Sequence, residues 1–118
     1  MTTQDDVLRA LTRAGEKIQP KLWKAADEDY LADCAAQLVD QQAAADATSD
    51  ADLRDQHREA AEMIRNRVAA EACRRANNTG KQVAEDACLE ILKIALRAVP
   101  GLSILGYAAA ALDDVQKS

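Results

Sequence analysis

Apolar residues recur every three or four positions from the start of the chain, in Val7, Leu8, Leu11, Ala14 and Ile18, a spacing that gathers them on one side of an α-helix. Thr3-Gln4-Asp5-Asp6 supplies cap residues ahead of that stripe, so a first helix is predicted to about Gln19. Pro20 suits the first turn of a new helix and disfavours helical geometry in Gln19. A bend is predicted there, then a second helix to about Ala47. On it Trp23, Tyr30, Leu31, Cys34 and Leu38 fall on one side, while Asp29, Asp33 and Asp40 share another. Thr48-Ser49-Asp50 offers caps for a third helix, and Asp50 and Asp52 suit the positive end of its dipole. That helix runs to about Ala76. Its stripe of Leu53, His57, Ala60, Ile64 and Val68 gives way to Ala69, Ala72, Cys73 and Ala76 on a different face. The buried face therefore rotates near residue 70, through a bend or a change of neighbour.

Asn77-Asn78-Thr79-Gly80 breaks the pattern, and Thr79-Gly80-Lys81-Gln82 reads as a capping box for the next helix; a continuous helix through Asn78 is the alternative. Residues 83–99 are nearly all apolar, with Asp86, Glu90, Lys93 and Arg97 confined to an arc of about 60° on a helical wheel. Such a helix is expected at the centre of a small bundle, touched on most sides. Pro100-Gly101 ends it, and a last apolar helix is predicted over about 102–116. The fold class is all-α: one domain over residues 1–118, a compact bundle of four to five helices with an apolar central helix at about 80–99.

Composition agrees with that class. The chain has 118 residues, 48% of them hydrophobic and 30% charged, a size and balance that bury one core without obligatory staples. Phenylalanine is absent and Gly and Pro are few, so strands have little to be built from. The net charge of -5 and pI near 4.8 oppose unassisted binding to phosphate backbones. Nucleic-acid contact through Arg58, Arg65, Arg67, Arg74 and Arg75 is kept only as a weak alternative. The charge is uneven: acids dominate residues 25–55 and arginines residues 58–81. Neighbouring helices are expected to offset one another, with electrostatic docking of a partner as the minority reading.

Candidate chemistry is sparse. One histidine, His57, cannot supply the paired Glu-x-x-His motifs of a di-iron bundle, and Cys34, Cys73, Cys88 and His57 are too scattered for zinc. No metal or cofactor is expected. On its apolar stripe His57 is expected to be partly buried and hydrogen-bonded. Asp27, Cys34 and His57 have the residue types of a thiol triad. In an antiparallel hairpin turning at Thr48-Ser49, however, His57 lies level with Asp40, about six residues or roughly 9 Å from Cys34. The triad is rejected, and Asp27 is expected to find an arginine of the third helix or a helix terminus. Cys73 and Cys88 flank the 77–80 turn, where a tight hairpin sets Cys73 against Ala84; a disulfide is doubtful and free thiols are expected. With no basic-then-apolar leader, the cytosol is the expected compartment.

A central apolar helix, a second apolar segment and no catalytic motif together predict no enzyme. The expected role is a protein–protein interaction module, an adaptor, inhibitor or immunity-type protein of bacterial or phage kind, working alone or as a homodimer. Its expected contact residues are Trp23, Asp29, Asp33 and Asp40, with Leu102, Leu105 and Tyr107 of the apolar C-terminal helix. The alternative is a membrane-active protein that releases residues 83–112 as a hydrophobic hairpin. Its central charges argue against a spanning helix.

Overall fold

The computed structural model describes residues 3–80, 82–99 and 102. Among them are four α-helices, α1 (Gln4–Ile18), α2 (Glu28–Ala47), α3 (Ala51–Asn78) and α4 (Glu85–Arg97), and a 3-10 turn, Ala25–Asp27. The helices form a ring around one core. Helix α1 packs against α2 and α4, α3 packs against the same two, and α1 and α3 approach more lightly across the middle.

The start of α1 is set locally. Thr3 Oγ1 accepts from the Asp6 N–H at 3.2 Å and the Asp6 carboxylate accepts from the Thr3 N–H at 3.3 Å, a reciprocal capping box. Val7, Ala10, Leu11, Ala14, Gly15 and Ile18 then face the core. The Asp50 carboxylate caps α3 in the same way, accepting from the Asp52 and Leu53 N–H groups at 2.9 and 3.3 Å.

The second helix does not begin at Pro20. Gln19 is extended, as a residue before proline should be, but the chain stays non-helical through residues 19–24 and Lys21 takes a left-handed φ of 61°. Helix α2 proper opens at Glu28. The reason is tertiary: the non-helical stretch buries Leu22 to 4% exposure and lays the Trp23 indole directly on Gly15 of α1. A regular helix from Pro20 would trade that burial for local hydrogen bonds.

Helix α3 is unbroken from Ala51 to Asn78, and the predicted rotation of its buried face accompanies a change of neighbour from α2 to α4. Ala61, Ile64, Arg65 and Val68 are buried along its middle; Ala69, Ala72, Cys73 and Ala76 are added towards its end, where α4 packs. Leu53, at its start, is 45% exposed.

The disulfide expectation is corrected. Cys73 and Cys88 are joined, with their Cα atoms 6.2 Å apart. The tight hairpin was the faulty premise. Helix α3 continues to Asn78 and α4 begins only at Glu85, after a non-helical link. Thr79 closes α3, its hydroxyl donating to the Ala76 carbonyl at 2.7 Å. It does not open α4, which has no side-chain cap. The Asn77 side chain accepts from the Val83 N–H at 2.7 Å, folding the link back so that the first turn of α4 carries Cys88 to Cys73.

Helix α4 contributes Cys88, Leu92 and Leu96, spaced by four residues, to the core. Among the described residues α4 is packed on two sides, by α1 and α3, with Ile94 54% exposed. The rest of the predicted fifth helix, from residue 103 on, lies outside the described residues.

Candidate functional site

The inward stripe of α2, made of Leu31, Cys34, Ala35, Leu38, Gln42 and Ala45, leaves Asp29, Asp33 and Asp40 on its solvent side, all exposed. Among the described residues none of these three carboxylates has an ion-pair partner. The arginines of the adjacent helix bond to other groups, although Arg67 does so on α2 itself, at Gln37 between Asp33 and Asp40. Arg58 pairs with Asp55 at 3.5 Å, Arg65 with Glu62 at 3.0 Å, and Arg74 with Glu71, all within α3. Arg54 donates to the Thr48 carbonyl at 3.2 Å and Arg67 to the Gln37 amide oxygen at 3.1 Å. Among the described residues, the ion pair that ties α3 to another element is the one in which Arg75 reaches Asp27. The strip on α2 keeps its negative charge.

That one cross-helix pair anchors a built corner. Arg75 donates from Nη1 to the Asp27 carboxylate and from Nε to Glu71 at 2.8 Å, and its guanidinium lies 5.1 Å from the centre of the Trp23 ring, a cation–π distance. Asp27 also accepts from the Lys24 N–H at 2.7 Å. The Arg75 hydrogen bond first, and the Lys24 N–H second, hold the Asp27 carboxyl below its ordinary range. Arg75, with help from Arg74, does the same to Glu71. The expectation that Asp27 finds an arginine of the third helix is met. Trp23 is half-buried, packed on Gly15, and its indole N–H has no hydrogen-bond partner among the described residues.

The other singled-out groups fall apart in space. The His57 ring nitrogen Nδ1 lies 2.8 Å from the Gln41 amide oxygen, and the ring is half-buried. Cys34 is 2% exposed, and burial pushes its thiol up, which opposes thiolate formation. Burial, and then the neighbouring Cys34, push Tyr30 up to about 12. Asp27, Cys34 and His57 thus have three separate sets of partners. Arg65, one of the five arginines considered for nucleic-acid contact, is 2% exposed. Leu102 lies in the core at 1% exposure, while Leu105 and Tyr107 lie outside the described residues. So does most of the apolar C-terminal segment; among the described residues no helix is long and apolar enough to cross a membrane. No group of three or more His, Cys, Asp or Glu among them is placed to hold a metal ion.

Two features escaped the sequence reading. Gly15 occupies a core-facing position of α1, and a glycine there signals the close approach of a neighbour. Lys21 and Lys24 were hidden by the assumption of a helix from Pro20. The chain was compared with protein-family models, curated proteins and solved structures, and it matches none of them.

Proposed function

We propose that the protein is a non-enzymatic protein–protein interaction module, of the adaptor, inhibitor or immunity type, that docks a basic partner surface on the acidic side of α2. The observation that supports this reading is the strip of Asp29, Asp33 and Asp40, exposed and without cationic partners among the described residues. Uncompensated charge of one sign raises encounter rates with a complementary surface and selects against like-charged ones. The half-buried Trp23 and the carboxyl of Asp27 are engaged in holding the fold, which argues against an acid–base role for that corner. In the cytosol, the compartment this reading proposes, the thiol pool would keep Cys73 and Cys88 reduced; the acidic strip does not depend on their bond.

Affinity capture at low salt, followed by elution with a salt gradient, tests the reading. A basic protein should be retained by the wild-type chain and released as salt rises, and light scattering of the isolated chain tells a foreign partner from a second copy. Retention that is indifferent to salt and to Asp29→Asn/Asp33→Asn/Asp40→Asn contradicts the acidic-face reading.

A further inference from the structure

Between the end of α1 and the end of α3 lies a recess of about 510 Å³ on which Lys21, Lys24, Arg74 and Arg75 converge, with Asn78 and Leu22 in its wall. We propose that this recess binds a phosphate dianion, free or carried as the monoester of a small organic molecule. Local charge makes the case first. Four cations line it, and the two carboxylates that touch their guanidiniums, Asp27 and Glu71, offset two of them. The excess matches the charge of a phosphate monoester near neutrality. The carboxyl-terminal ends of α1 and α3 flank the recess and oppose an anion, so side-chain cations, not helix amides, have to hold it.

Geometry adds to charge. The Arg75 guanidinium is fixed on three sides, by Asp27, Glu71 and the Trp23 ring; those bonds use Nε and Nη1, which leaves Nη2 as a further donor. Arg74 is held to Glu71 through Nε and Nη2, which leaves Nη1. Two guanidiniums positioned in advance lose little entropy on closing around an oxyanion. Lys21 reaches the recess from a left-handed backbone, φ 61°, a conformation that L residues adopt at a cost. The volume exceeds what a phosphate fills and suits a drug-sized ligand, with Pro20 in the lining beside an organic moiety.

Trp23, the one tryptophan in the chain, reports on Arg75 directly. Inorganic phosphate and, separately, glucose 6-phosphate are titrated at fixed ionic strength and pH 7.5, with Trp23 emission and the amide shifts of Leu22, Asn78 and Thr79 as readouts. Saturable changes localised to those residues are expected. Stronger binding of the sugar phosphate assigns the site to monoesters, and equal binding assigns it to free phosphate. Lys21→Gly keeps the left-handed backbone and removes the ammonium; it should weaken binding by about tenfold or more without lowering the thermal midpoint. Lys24→Ala should weaken it similarly. A response that fails to saturate, that chloride reproduces at the same ionic strength, or that Lys21→Gly leaves unchanged overturns the assignment.

Discussion

A β-carbon at position 15 would sit 1.9 Å from Trp23 Nε1 and 2.4 Å from its Cδ1, closer than any non-bonded contact permits. Gly15→Ala should therefore destabilise the protein by about 1–3 kcal/mol, even though alanine is the better helix former. Urea unfolding followed by Trp23 emission measures this, and a variant as stable as the parent would show that the indole does not rest on Gly15. Asp27 gives a second test through pH. Its carboxyl is lowered by Arg75 in the folded protein, so its contribution is fully present above the unfolded value of about 3.9 and is lost as pH falls through the folded value. Asp27→Asn should cost about 1–2 kcal/mol at pH 6, and the difference from the parent should shrink as pH is taken from 4 towards 2. A difference that stays constant over that range would mean the charge of Asp27 is not what Arg75 holds. At this scale the sequence was partly legible. An acid on an apolar face needs a donor, and that logic found the third helix as the source for Asp27. It could not find Trp23 as a co-partner, because the indole meets Arg75 only when residues 19–24 leave the helix; Glu71, four residues before Arg75 on the same helix, was within its reach.

Helix boundaries divide by what sets them. Thr3 and Asp50 cap α1 and α3 through bonds spanning two or three residues, and both starts were readable for that reason. The start of α2 was not, since burial of Leu22 and the seating of Trp23 on Gly15 outweigh Pro20's fitness to open a helix. The link between α3 and α4 was misread for a related reason. A tight turn was assumed where Asn77 holds a longer one, so the partner of Cys73 shifted by a helical turn, from Ala84 to Cys88. With a sequence separation of 15 residues, loss of the disulfide should lower stability by about 3 kcal/mol. Unfolding of oxidised protein with and without dithiothreitol checks the value, with Cys73→Ser/Cys88→Ser as the control that reductant should not affect. Alkylation of both thiols in protein that has first been exposed to an oxidising buffer would contradict the bond.

Over the whole molecule the charge pattern, more than any catalytic group, separates this chain from an inert bundle. The acid-rich and arginine-rich segments stood out in the sequence, yet whether they cancel depended on which way each helix turns. The core stripe of α2 sends Asp29, Asp33 and Asp40 outward, and α3 satisfies most of its arginines with its own glutamates and aspartates. One face is left acidic as a result. Because those three residues are exposed and make no ion pair among the described residues, Asp29→Asn/Asp33→Asn/Asp40→Asn should change unfolding stability by no more than about 0.5 kcal/mol. Binding can then be altered without altering the fold. The decisive measurement is calorimetric titration of the captured partner against the wild-type chain and this triple variant at two salt concentrations. The account predicts wild-type affinity that falls with salt and a variant at least about tenfold weaker, with little salt dependence left. Equal affinities for the two chains would contradict it.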